Sequence, residues 1–147
     1  MKKIIGILLL LAISSVGIAQ PVQWQFSIKK IDKDLYSWSA KATISGNWHL
    51  YSQYTPEGGP IPTSILFTKS PLIELTEKVK EVGKLVTKRE EVFDMDVKYF
   101  EGSVEFVQNF KLKRKVKTNL TGTIEYMVCN DKECLPPKKQ SFSIAVE

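Results

Sequence analysis

The chain has 147 residues, a formal net charge of +5, two cysteines and one histidine. Once a leader is removed, that length suits one domain with a real core and not two. A lone histidine leaves too few ligands for a zinc site of the usual spacing, and the mild positive charge does not call for a nucleic-acid partner.

Residues 1–19 read as a secretory signal peptide. Lys2 and Lys3 form a charged start, Ile4 to Ile13 is almost unbroken apolar sequence, and Gly17-Ile18-Ala19 supplies small residues for cleavage. No cysteine follows the leader, so there is no lipoprotein anchor site; a retained anchor is the competing reading. The mature chain then starts near Gln20 with two fewer lysines, which lowers the charge from +5 to +3. No other apolar run is long enough to span a bilayer, so stable membrane insertion is not expected. Export places the two cysteines where a pair is normally bonded.

Downstream, alternation marks the strands. Trp24, Phe26 and Ile28 alternate with polar residues and predict a strand over 22–31. Asp32-Lys33-Asp34 is a polar turn. Tyr36, Trp38, Ala40, Ala42 and Ile44 alternate next, the clearest strand signal in the chain. Gly46-Asn47 breaks it, and Trp48-His49-Leu50-Tyr51 resumes as a short aromatic strand. Pro56 to Pro62 is a loop, because its prolines and glycines preclude regular pairing. Ser64 to Thr68 reads as a strand. Residues 70–91 fit a short amphipathic helix or two short strands; Gly83 and Pro71 favour strands. Glu90 to Asp96 is acidic, with Val92, Phe93 and Met95 embedded. Val97–Phe100 and Val104–Phe110 are expected as a hairpin closed at Glu101-Gly102-Ser103. Thr121–Cys129 and Lys139–Val146 are the last two strands. Short strands with frequent turn signals predict an all-β fold, an immunoglobulin-like antiparallel β-sandwich. Lys111, Lys113, Arg114, Lys115 and Lys117 interleave with Leu112 and Val116, which predicts a solvated edge strand guarded by lysines.

Both cysteines fall in Cys129-Asn130-Asp131-Lys132-Glu133-Cys134, followed by Leu135-Pro136-Pro137. Ile124, Tyr126 and Val128 alternate toward this stretch, and Phe142, Ile144 and Val146 alternate beyond it. The pair is therefore expected at the neck of a β-hairpin, where cross-strand Cβ atoms come within disulfide reach. A structural staple is the ordinary role in an exported domain. Yet a loop of about six residues yields only about 2 kcal/mol in the chain-entropy model, against roughly 5 for a loop of about 100. Little is lost when such a bridge opens, which suits a pair that cycles between dithiol and disulfide. Asp131 and Glu133 disfavour a thiolate, Lys132, Lys138 and Lys139 favour it, and no helix N-terminus is at hand, so thiols of ordinary acidity are expected. A soft copper(I) site from the two thiolates with His49, Met95 or Met127 is a further alternative.

These residues resemble the family of amino-terminal periplasmic domains of DsbD, a transmembrane thiol–disulfide interchange protein. The resemblance rests first on Cys129 and Cys134 followed by Leu135-Pro136-Pro137 on the penultimate strand. Gly46-Asn47-Trp48-His49-Leu50-Tyr51 resembles the family's glycine-plus-aromatic strand beside the cysteines. Glu90-Glu91-Val92-Phe93-Asp94, followed by Tyr99, Phe100 and Glu101, resembles its cap loop. The resemblance implies an immunoglobulin-like domain over 20–147, a periplasmic location and no cofactor. It implies a relay of reducing equivalents from a membrane electron-transfer protein or a thioredoxin-like partner to oxidised periplasmic proteins. It also implies Cys129 and Cys134 as the redox pair, with Cys134 the attacking thiol. Phe93 is the implied cap, with Val92 its rival, and His49 and Tyr51 are the implied flanking aromatics. His49 as an ordinary half-buried strand residue and Phe93 as a core residue remain competing accounts. Family members usually continue into a multi-span membrane domain and a thioredoxin-like domain. This sequence stops at Glu147, so a separate donor chain is expected, and its inter-cysteine loop is one residue shorter than in the best-known members. The alternative function is a non-enzymatic immunoglobulin-like binding module with a structural disulfide and Trp48, Tyr51 and Tyr54 as contact residues. Core packing is the competing account of those aromatics.

Overall fold

A computed structural model describes residues 20–147; the expected leader lies outside the described residues. In chain order the strands are β1 (Val22–Lys30), β2 (Leu35–Ile44), β3 (His49–Tyr51), β4 (Ser64–Phe67), β5 (Ile73–Leu75) and β6 (Lys80–Gly83). They continue with β7 (Val86–Glu90), β8 (Met95–Glu101), β9 (Ser103–Leu112), β10 (Thr118–Tyr126), β11 (Val128–Cys129) and β12 (Lys138–Val146). Every pairing is antiparallel.

Two sheets make an immunoglobulin-like sandwich. One runs β1-β2-β9, with β5 and β6 lining successive parts of the free edge of β9; the other runs β12-β10-β4. Alternation on β2 does what the pleat demands: Tyr36, Trp38, Ala40, Ala42 and Ile44 are all buried. The facing sheet answers with rings. Trp38 lies 4.7 Å from Phe142 and 5.0 Å from Phe67, and Trp24 lies 5.3 Å from Tyr126, between ring centroids. Gly122 on β10 is what lets the Phe142 ring come this close, since a Cβ would stand 2.5 Å from its Cζ. The region 70–91 is extended, as Gly83 and Pro71 suggested, but holds three strands instead of two. Between β5 and β6 the ladder lapses, and the buried side chain of Gln108 fills in by donating to the Glu77 carbonyl at 2.7 Å.

A third sheet, β11-β3-β8-β7, is made from continuations of the sandwich strands. β3 follows β2 across Gly46-Asn47, β11 follows β10 after Met127, and β8 runs into β9 at Gly102. Three expectations change here. Glu101-Gly102-Ser103 is not a hairpin turn: β8 pairs with β3 and β7, and β9 with β2, β5 and β6. One residue, Gly102, separates the two strands, too few for a hairpin loop. Its φ of +70° turns the chain from one sheet into the other, and its carbonyl accepts from Ile44 N–H at 2.8 Å. The basic run is not an edge strand either. Lys111 lies inside the sheet between Leu35 and Glu74, and residues 113–117 form the loop into β10.

Thr121–Cys129, finally, is not one strand. The β10–β12 ladder stops at Tyr126↔Lys138, because Pro136 and Pro137 have no N–H to continue it. Pairing resumes at Cys129↔Cys134, slipped by one residue on the returning chain. A one-residue slip exchanges faces. Leu135 packs on the core where Phe142 and Val146 do so further along β12.

Candidate functional site

Cys129 and Cys134 are disulfide-bonded, with Cα atoms 4.0 Å apart. The local chain explains why they meet. Leu135 N–H donates to Val128 O at 2.9 Å and Asn130 N–H to Glu133 O at 2.9 Å. The cysteines thus occupy the non-hydrogen-bonded position between those bonds, where cross-strand side chains approach most closely. Asn130 closes the turn, its Oδ1 accepting from Lys132 N–H at 2.8 Å and Glu133 N–H at 2.9 Å. The two cysteines differ sharply in access: Cys129 is 2% exposed, while Cys134 is exposed.

The floor beside Cys129 is aromatic. β11 pairs with β3 so that Cys129 sits opposite His49, and β3 pairs with β8 so that Tyr51 sits opposite Tyr99. His49 Nε2 and Tyr51 Oη are 3.2 Å apart, and the His49 and Tyr99 ring centroids 4.3 Å. Burial lowers the pKa of His49 against the opposing pull of Glu90 and Glu101. Burial, aided by Glu90 and Tyr99, pushes Tyr51 up to about 12. Burial, aided by Glu101, raises Tyr99 as well. At neutral pH the floor is therefore uncharged, and Tyr51 keeps a proton to donate toward His49.

The wall opposite is the tip of the β7–β8 hairpin. Glu90↔Met95 is its last pair, and residues 91–94 form the loop, held by Phe93 N–H to Glu90 O and Asp94 N–H to Glu91 O, both 3.2 Å. Asp94 takes φ +51° and pairs with Arg89. Phe93 is half-buried against Gly59, where a Cβ would stand 3.3 Å from Phe93 Cγ. Val92 is 87% exposed. Phe93 belongs to neither hydrophobic cluster, so its position is not that of a core residue. The loop carrying Gly59 is itself clamped: Ser52 Oγ and Gln53 N–H both donate to Glu81 at 2.7 Å, and Thr63 Oγ1 donates to the Tyr51 carbonyl.

The structure thus brings His49, Tyr51, Val92, Phe93, Cys129 and Cys134 around one pocket of about 340 Å³. Lys88, Glu90, Asn130, Asp131, Lys132 and Glu133 complete the lining. Of the three lysines expected to favour a thiolate, only Lys132 is there. Lys138 and Lys139 lie on β12, and Lys139 Nζ reaches Glu125 at 3.8 Å across the sandwich sheet. Lys88 went unnoticed in the sequence, and Tyr99, noted there only beside the cap loop, stands in the floor opposite Tyr51: both owe their place to pairing of β7 and β3 with β8, which no local pattern reveals. Asn130 did carry a signal, since an Asn opening a tight turn bonds its own backbone two residues on. The aromatics of a possible ligand surface do not gather: Tyr51 is 1% exposed, Trp48 packs on the core and Tyr54 is 55% exposed. Among the described residues, no three His, Cys, Asp or Glu side chains are grouped to hold a metal ion.

Comparison with known proteins gives the following. A family model described as the N-terminal part of the thiol:disulfide interchange protein DsbD matches residues 17–145. Curated protein sequences give no match. Among solved structures, the N-terminal domain of Neisseria meningitidis DsbD in its reduced form is similar at a TM-score of 0.55 and 13% identity, covering 82% of this chain and 84% of that one. The complex between the DsbD and PilB N-terminal domains of the same organism matches at 0.56 and 12%, covering 88% and 87%. The N-terminal periplasmic domain of Proteus mirabilis ScsB matches at 0.58 and 13%, covering 87% of this chain but 47% of that one. At such identities the structural likeness speaks for the fold.

Proposed function

This chain belongs to the family of DsbD amino-terminal domains, a thiol–disulfide interchange module with a cysteine pair, and from that premise we propose that it relays reducing equivalents through Cys129 and Cys134. The observation that carries the proposal is the unequal exposure of the two cysteine residues. A donor thiolate attacks Sγ of the exposed residue Cys134, the Cys129–Cys134 bond breaks, and a mixed disulfide forms with the donor. The second donor thiol then attacks its own partner sulfur, releasing Cys134 and leaving the donor oxidised by two electrons. Cys129 is the leaving group of the first step, and a proton gained as the donor thiols are consumed completes it as a thiol. In the forward transfer the order reverses. Cys134 attacks the substrate disulfide, and Cys129 resolves the mixed species.

The partners of this reading are a membrane electron-transfer protein or a thioredoxin-like protein as donor, and oxidised periplasmic proteins as acceptors. That a DsbD N-terminal domain forms a complex with a PilB N-terminal domain supports exchange by direct docking. The leader expected over 1–19 and the likeness to the periplasmic ScsB domain support a periplasmic site of action. The tip carrying Val92 and Phe93 shields the pair until a partner displaces it, with Phe93 the principal cap, since its ring is the one anchored on Gly59. His49 and Tyr51 flank the pair and keep its floor neutral.

The test uses serine variants. Cys129→Ser is expected to accumulate a mixed disulfide between Cys134 and a thioredoxin-like partner, whereas Cys134→Ser is not. Equal trapping by both, or by neither, would refute the assignment of Cys134. A reduction potential far below that of thioredoxin would refute the relay itself.

A further inference from the structure

One cavity owes nothing to the redox reading. At the end of the sandwich away from the disulfide, the β1–β2 turn (31–34) lies beside the β9–β10 loop (113–117). Leu112 N–H donates to Asp34 O at 2.9 Å, and the loop closes on itself through Val116 N–H to Arg114 O at 2.9 Å. Between the two segments is a cavity of about 550 Å³. Six cations line it, Lys30, Lys33, Lys113, Arg114, Lys115 and Lys117, against the carboxylates of Asp34 and Glu147. Buried Tyr36 and Leu112 form its apolar part.

The charges there are poorly balanced. Lys113 reaches Glu74 at 3.7 Å and Lys117 reaches Glu147 at 3.4 Å, both between exposed side chains. Lys30, Lys33, Arg114 and Lys115 have no carboxylate within 4.0 Å among the described residues. Lys30 instead stands 5.7 Å over the Tyr36 ring. Packing like charges this closely builds a positive potential that an anionic surface would relieve. Two apolar side chains stand out among the cations, Ile31 at 53% and Val116 at 44% exposure, one on each segment. A small free anion has use for the cations but none for those apolar tips. Cations ringing apolar tips are what an interfacial membrane contact requires.

We propose that this pole is a peripheral contact for an anionic phospholipid surface, with lipid phosphates taken by Lys30, Lys33 and the 113–117 loop, and Ile31 and Val116 reaching the headgroup boundary. β2 spans ten residues, so at about 3.3 Å per residue the disulfide end is held roughly 30 Å from the contact. Docked this way, Cys134 and the 91–94 tip face away from the bilayer.

The experiment is co-sedimentation of the purified protein with vesicles of phosphatidylglycerol in phosphatidylcholine and of phosphatidylcholine alone. Binding is expected only to the anionic vesicles and should weaken with salt. The triple variant Lys113→Glu, Arg114→Glu, Lys115→Glu should lose about fivefold in partitioning for each cation removed, and more for the reversal. The control triple Lys41→Glu, Lys69→Glu, Lys84→Glu changes net charge equally at exposed positions elsewhere and should retain most of the binding. Val116→Asp should weaken binding alone, and carries the test if the loop triple misfolds. Equal loss in the two triples, no binding to anionic vesicles, or displacement by inorganic phosphate with Val116→Asp unaffected would each overturn the proposal.

Discussion

Reduction of Cys129–Cys134 is expected to lower stability by about 2 kcal/mol while the fold persists. Five sequence positions separate the cysteines, so the closed loop is among the shortest a disulfide can tie, and the chain-entropy model assigns it about 2 kcal/mol. Most of what shapes the turn survives reduction: the Leu135–Val128 and Asn130–Glu133 backbone bonds, the two bonds to Asn130 Oδ1, and the pairing of β11 with β3. The freed Cys129 thiol stays in an apolar floor, where cysteine behaves as a small hydrophobe. The sandwich, by contrast, is held by rings such as Trp38 and Phe142, each burying on the order of 150–250 Å², or roughly 4–6 kcal/mol before entropy is counted. Urea unfolding of oxidised and dithiothreitol-reduced protein, followed by tryptophan fluorescence, should give parallel transitions with midpoints about 1 M apart. A loss beyond about 4 kcal/mol, or a broadened transition, would make the bridge a structural staple and remove the physical basis for cycling.

Three further outcomes are expected. Burial holds folded His49 below the ordinary 6.5. As pH falls through 6.5 the unfolded chain gains a proton that the folded chain refuses, so stability is present above that pH and declines until the folded imidazole also titrates. Urea midpoints should fall across this window, and His49→Gln should flatten the decline; an unchanged slope would show that another group governs it. Phe93→Ala should speed reduction of the disulfide by dithiothreitol by about tenfold, the loss of roughly 1.5 kcal/mol of ring contact at Gly59. Val92→Ala, at an exposed position, should change it little, and the reverse ranking would make Val92 the cap. Gly122→Ala would put a Cβ 2.5 Å from both Leu66 O and Phe142 Cζ, so calorimetry should show a destabilisation of about 2–3 kcal/mol.

The sandwich strands were legible because period-two alternation survives wherever one face is buried, as on β2. The cysteine turn was legible for the same reason, through Ile124, Tyr126 and Val128. What escaped were the junctions. Gly102 looked like a hairpin turn because a glycine between two apolar runs ordinarily is one; that β8 and β9 find their partners in different sheets is a non-local fact. The break at Met127 was written in Pro136-Pro137, whose missing N–H groups act on the strand opposite them and not on their own. Lys138 and Lys139 are near the cysteines in sequence but not in the site, since the same prolines carry the chain back to the sandwich. Lys88 enters the pocket from a distant stretch through strand pairing alone.

The slip at Pro136-Pro137 bears on how this domain tolerates change over evolutionary time. β11 pairs with β3 and, across the disulfide, with the returning chain at Cys134, and the ladder of the sandwich begins afresh at Tyr126↔Lys138. A residue inserted or deleted between Cys129 and Cys134 would alter the turn without displacing Phe142 or Val146 from their places. The 91–94 tip, which ends a hairpin at the margin of the third sheet, has the same freedom. Two loop lengths can thus drift independently of the aromatic core, so that partner choice is retuned while the architecture is inherited intact.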